Sequence, residues 1–173
     1  MLHNPPETTR SPSYRAGALV LFAAAAVIGA ALAFEHVGGY APCPLCLQQR
    51  YAYYAGIPAL FLALVLVSGG HRRMAAAVFL VVALAFLANA GLGAYHAGVE
   101  WKFWAGPDTC DAAALQPLSK GGSLLQDLAK TRVIRCDEAP WHFLGLSLAG
   151  WNVVACLLLA AGSASAAARA WRS

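Results

Sequence analysis

The chain has 173 residues, 60% of them hydrophobic and 12% charged, with a formal net charge of +4 and a mean hydropathy of +0.57. Soluble globular domains carry about 25% charged residues, so this composition excludes an ordinary water-soluble domain and points to a chain solvated mostly by lipid. No basic block is long enough to form a nucleic-acid groove, which removes nucleic acid from the partners to be considered.

Residues 1–15 are polar and rich in Pro, Ser and Thr, as expected of a disordered tail, and Arg10 and Arg15 precede the first apolar run, Ala16 to Phe34. Its 19 residues suffice for a hydrocarbon core of about 30 Å. A cleavable signal peptide is the competing reading, but the length is uninterrupted and a cleavage signature is missing. After Glu35 and His36, read as an interfacial polar cap in preference to a pair assisting proton release, a short Gly-rich link leads to Pro42-Cys43-Pro44-Leu45-Cys46-Leu47-Gln48-Gln49-Arg50. The second span is predicted over 47–67, where Pro58 can kink the helix if neighbours re-satisfy the freed carbonyl. A basic turn over 68–73 leads to the third span, 74–95. There the small residues Ala90, Gly91, Gly93 and Ala94 mark close helix packing.

A long polar loop, 96–142, carries Cys110 and Cys136. Between them, Leu115, Leu118, Leu124, Leu125 and Leu128 alternate with Gln126, Asp127 and Lys130, the pattern of a short amphipathic helix on the bilayer surface. Trp101, Phe103, Trp104 and Trp141 suit an interfacial aromatic belt. The fourth span is predicted over 143–161 and holds Cys156, a small packing residue; a basic tail, 163–173, follows. The fold class expected is thus an all-α, four-helix membrane bundle. Four spans put both tails and the 68–73 turn on one side with six Lys/Arg, against five in the long loop. The tail and turn charges lie close to the spans and several loop charges do not, which places the tails in the cytoplasm and both cysteine pairs outside. An oxidising compartment, where disulfides persist, agrees.

Cys43 and Cys46 stand at the start of a helix, where unpaired N–H groups and the macrodipole favour a thiolate. Arg50, four residues after Cys46, shares its helix face and can set a guanidinium beside the sulfur. Five cysteines are an odd number, so at least one is unpaired or joins another chain. Three readings stay open for the outer four. Zinc can be held by a Cys-x-x-Cys with two more cysteines, although Cys110 and Cys136 are 26 positions apart. Two structural disulfides are possible, although a C-x-x-C ring is a poor staple because the entropy removed grows with loop length. The third reading, a pair cycling between dithiol and disulfide, fits the helix-terminal placement best. Arg132 and Arg135 favour Cys136 as a leaving thiolate, partly offset by Asp137 and Glu138, whereas Asp108 and Asp111 disfavour a thiolate at Cys110. An incoming thiolate would then attack Cys110 and expel Cys136.

Cys-Pro-Leu-Cys-Leu-Gln-Gln-Arg-Tyr at the head of the second span, Asp-Thr-Cys-Asp and Arg-Cys-Asp-Glu in the long loop, and Phe-Leu-Gly-Leu-Ser before the fourth span resemble the DsbB family of disulfide-bond formation proteins. The resemblance covers residues 16–162. It implies an inner-membrane, quinone-dependent protein dithiol:disulfide oxidoreductase that reoxidises a soluble thioredoxin-fold partner, DsbA, and passes the electrons to membrane quinone, ubiquinone or menaquinone. Carried over by motif, Cys110 takes the mixed disulfide with the partner, Cys136 attacks Cys43, and Cys46 is released as a thiolate facing the quinone. Arg50 then stabilises the developing negative charge, and His96 matches a quinone-proximal histidine. Gln49 departs from members that carry Glu there. The rivals are a relative dedicated to one client, a protein running electrons outward (disfavoured by the lack of cytoplasmic cysteines), and a zinc-binding membrane scaffold.

Overall fold

A computed structural model describes residues 11–40, 42–107, 136–137, 139 and 141–172. The amphipathic helix expected between Leu115 and Lys130 lies outside the described residues, as do Cys110, Asp108, Asp111, Arg132, Arg135 and Glu138.

Four helices, each long and apolar enough to cross a membrane, form the bundle: α1 (Pro12–His36), α2 (Pro44–Ser68), α3 (Arg72–Glu100) and α4 (Leu148–Arg172). Helix α1 packs on α2 and α4, and α3 packs on the same two, so consecutive helices are neighbours running up and down. The ends of α1 and α3 therefore meet the starts of α2 and α4 at one end of the bundle. The starts of α1, α2 and α4 carry capping signals, and α3 has no side-chain cap. Ser11 caps α1 by accepting from the Tyr14 N–H at 3.2 Å, with Pro12 in the first turn. Ser147 does the same for α4 through the Gly150 N–H at 3.2 Å.

Phe79, Phe86, Leu60 and Val82 are fully buried at the centre, while Phe22, Phe61, Leu84 and Leu158 face outward. In lipid the outward residues need no cover, so association rests on fit between helices. Gly17 shows how close that fit is: a Cβ there would lie 2.6 Å from Phe79 Cζ. Of the four small residues expected to pack on α3, Ala90 and Gly93 are buried, whereas Gly91 and Ala94 are exposed.

The helices overrun the apolar runs that announced them. Residues 96–100 belong to α3 rather than to the long loop, and α4 continues through most of the predicted tail because Ser163, Ala166, Ala167 and Ala170 keep facing the bundle. At its other end α4 starts at Leu148, not 143. Residues His142–Phe143 (β1) and Leu146–Ser147 (β2) pair antiparallel around Leu144 and Gly145, whose φ values are 52° and 80°. Two successive positive φ values are the mark of a two-residue type I′ hairpin. Trp141 stacks on Phe143 with centroids 5.7 Å apart, and Tyr95 on Trp104 at 6.0 Å. The aromatics expected in an interfacial belt thus gather at the cysteine end.

Candidate active site

The proline after Cys43 disfavours helical backbone at Cys43 and is itself well suited to the first helical position. Cys43 is accordingly extended, with φ −74° and ψ 164°, and is the N-cap of α2. Its sulfur accepts from the Cys46 N–H at 3.2 Å and donates to the Cys46 sulfur at 2.8 Å. A disulfide bond measures about 2.04 Å, so closing this pair needs a shift of under an ångström or so. Donation to Cys46, and then burial, push the Cys43 thiol well above the usual thiol range. Cys43 is therefore the protonated member of the pair, and Cys46, in the first turn of α2 and only half-buried, is the one open to reaction.

Cys136 is disulfide-bonded and packs in one buried cluster with Cys43, Leu45 and Val99, against which Cys46 also rests. His96 lies one turn inside the end of α3, buried beneath the pair. Its Nε2 is 3.6 Å from the Cys43 sulfur and 3.9 Å from Glu100 Oε1, and its ring is hydrogen-bonded to the Cys136 backbone. Ser147 donates to Glu100, tying α3 to the start of α4. The ligating atoms of Cys43, Cys46 and His96 all lie within 4.8 Å of one another, a set that could also hold a thiophilic ion.

Beside these residues opens a cavity of about 450 Å³, within the range of small-molecule sites. Phe34, Trp141, Phe143 and Ile28 are among its apolar and aromatic walls, and Cys43, Cys46, Arg50, His96 and Glu100 are among its polar lining. Of the six site residues predicted, Cys43, Cys46, Arg50, His96 and Cys136 are thus assembled within or beside one chamber, and Cys110 lies outside the described residues. Arg50 lines the cavity with Cys46 and interacts electrostatically with its sulfur, while its ion-pair partner is the carboxylate of Glu35. Glu35, expected as an interfacial cap, is therefore part of the site, while His36 is exposed.

The sequence reading missed a line of buried and half-buried polar side chains under the cysteines. Gln49 Nε2 lies 2.9 Å from His96 Nδ1, and Asn152 Nδ2 donates to Gln49 Oε1 at 2.6 Å. Tyr53 donates to Asn152 Oδ1 at 2.7 Å. Cys156 completes the line, 3.3 Å from the Tyr53 oxygen and 3.2 Å from Asn89 Nδ2; it is packed, as expected, but among polar partners. The available signal was a polar residue at an otherwise apolar position in each of three helices.

The family model for the disulfide bond formation protein DsbB matches residues 13–166. Disulfide bond formation protein B of Aromatoleum aromaticum is 34% identical over 155 residues, 86% of this chain and 89% of the relative. The protein of the same name in Azoarcus sp. is 32% identical over 142 residues, covering 79% and 81% of the two chains. Disulfide bond formation protein B 1 of Pseudomonas fluorescens is 35% identical over 135 residues, covering 77% and 76%. No solved structure matches the chain at a significant level.

Proposed function

The chain belongs to the DsbB family of disulfide bond formation proteins, and on that premise we propose that it is a quinone-dependent oxidase of a DsbA-like thioredoxin-fold partner. It works in the bacterial inner membrane, with both termini cytoplasmic and the redox cysteines periplasmic. The observation that carries this reading is the meeting, at one end of the bundle, of a Cys43–Cys46 pair, buried Cys136 and an aromatic cavity.

The partner's dithiol gives two electrons to the Cys110–Cys136 disulfide, leaving as a disulfide itself. The freed Cys136 thiolate attacks Cys43 of an oxidised Cys43–Cys46 pair, forming a Cys43–Cys136 bond and expelling Cys46 as a thiolate. Packing of Cys136 against Cys43 supports that order, as does the placement of Cys46 on the cavity wall. The helix terminus stabilises the expelled thiolate. The cavity residues fit a planar apolar ring bearing carbonyl oxygens: aromatic side chains for its faces, and Arg50 and His96 for its oxygens. A bound quinone supplies an acceptor of two electrons and two protons. Arg50, held by Glu35, keeps a fixed positive charge where negative charge builds up, and such preorganised charge costs no rearrangement during reaction.

The test is quinol formation by the purified protein in detergent, driven by a reduced thioredoxin-fold oxidant. Turnover that needs both the oxidant and the protein is the expected result. No turnover, with one zinc bound per chain, would replace this reading with the metal-holding scaffold that the Cys43–Cys46–His96 spacing also permits.

A further inference from the structure

The hydrogen bonds beneath the cysteine pair have a direction, and it ends at His96. Gln49 Nε2 lies 3.3 Å from the Leu45 carbonyl oxygen as well as 2.9 Å from His96 Nδ1. A carbonyl only accepts, so the amide must turn its nitrogen toward Leu45, and both of its N–H bonds are then committed, one to Leu45 and one to Nδ1. The opposite face of the amide agrees, because Oε1 accepts from Asn152 Nδ2 at 2.6 Å. Asn152 is oriented in turn by the Tyr53 hydroxyl, which donates to its Oδ1 at 2.7 Å. Gln49 is buried, and Gly93 makes room for it: a Cβ at position 93 would stand 3.3 Å from Gln49 Oε1 and 3.0 Å from Val153 Cγ2.

With Nδ1 accepting, a neutral imidazole carries its proton on Nε2. That nitrogen lies 3.6 Å from the Cys43 sulfur, and since the ring also donates to the Cys136 backbone carbonyl, its single proton is shared between that carbonyl and the sulfur. We propose that Gln49, oriented by Leu45, Asn152 and Tyr53, is a positioning residue that holds His96 as the Nε2–H tautomer, so that the ring presents a hydrogen-bond donor to Cys43 where Cys43 and Cys136 exchange. This rests on the proposed relay. When an incoming thiolate attacks Cys136 of the Cys43–Cys136 disulfide, that bond breaks and its electron pair stays on the Cys43 sulfur. The Nε2–H bond stabilises that sulfur as it leaves. The same tautomer bears on metal binding. A protonated Nε2 has no lone pair to offer, so Gln49 disfavours ion capture by three atoms otherwise suitably spaced.

The experiment is long-range ¹H–¹⁵N correlation of histidine side chains in the detergent-solubilised protein, with His96 assigned by the loss of its signals in His96→Asn. Wild type should show Nε2 protonated and Nδ1 bare. In Gln49→Glu, whose carboxylate can only accept from the ring, the proton should appear on Nδ1. Protonated Nδ1 in wild type, or an unchanged ring in Gln49→Glu, overturns the proposal. Gln49→Met, which keeps the volume, should slow release of Cys43 from a trapped Cys43–Cys136 disulfide by a reduced dithiol about tenfold, the worth of one hydrogen bond to a charged group. An unchanged release rate alongside an altered tautomer overturns the catalytic half. The wild-type tautomer is read without turnover, so a protein with the expected tautomer but no quinone activity refutes the proposed function and leaves the assignment of Gln49 standing.

Discussion

Replacing Arg50 with methionine separates the two halves of the reaction. The guanidinium lines the cavity one helical turn beyond Cys46 and is clamped by Glu35 from α1, with side-chain exposures of 12% and 25%. Methionine keeps most of the stem and removes the charge. A partly exposed ion pair contributes about 1 kcal/mol or less, so the variant should fold. Its effect on chemistry should be far larger, because a preorganised donor at developing negative charge is worth about 10²–10³ in rate. Arg50→Lys, with the charge but not the planar fork, should fall between. The assay pairs stopped-flow quinone reduction with acid-quenched thiol trapping of the Cys43–Cys46 disulfide during reaction with the reduced partner. The first should drop by two to three orders of magnitude, again on the scale of an oxyanion donor, and the second should hardly change. Quinone reduction at the wild-type rate, or an equal loss in both assays, would remove Arg50 from the electron-accepting step.

In the fully reduced protein, iodoacetamide at neutral pH should modify Cys46 well before Cys43. The Cys43 thiol is held above the usual range by donation to Cys46 and by burial, so it stays protonated as the pH rises through neutrality; peptide mass mapping showing Cys43 alkylated first would contradict this. Cys156→Ala removes the acceptor of Asn89 Nδ2 and a partner of Tyr53. It should lower stability by about 1–3 kcal/mol, seen in thermal unfolding in detergent, with turnover unchanged; loss of turnover in folded protein would make Cys156 a redox group. Leu144→Asn should raise stability by about 1 kcal/mol, since Leu144 holds a φ of 52° that asparagine tolerates better. A membrane-impermeant thiol reagent should reach Cys110 from the periplasmic side of intact reduced cells, and labelling only from the cytoplasmic side would invert the topology.

The bundle was legible because an apolar run of about 20 residues has few fates besides a span, and four such runs fix the up-and-down order. The Cys43–Cys46 motif was legible because proline and helix-terminal placement act locally. What escaped depended on helix rotation and on distant pairings. Glu35 and Arg50 look like an end cap and a neighbour of Cys46 until α1 is laid beside α2. Gln49, Tyr53 and Asn152 look like tolerated polar residues until α2 and α4 turn them to one line. The hairpin at 142–147 was hidden for a different reason. Leu144 and Gly145 sit inside an apolar stretch, and Leu144 lacks the Asn or Asp that ordinarily announces a type I′ turn, so the run was read as the start of a span.

The central claim is that Cys136 passes electrons to Cys43 and releases Cys46 toward the cavity. Disulfide mapping of the quinone-free protein with both cysteine pairs oxidised, acid-quenched at successive times after one equivalent of reduced partner, tests it most directly, because one disulfide then remains in the chain and its position reports the exchange. A Cys43–Cys136 linkage with Cys46 as a free thiol is the predicted result. Cys43 still bonded to Cys46 with no Cys43–Cys136 linkage at any time, in protein that has oxidised its partner, would contradict the relay.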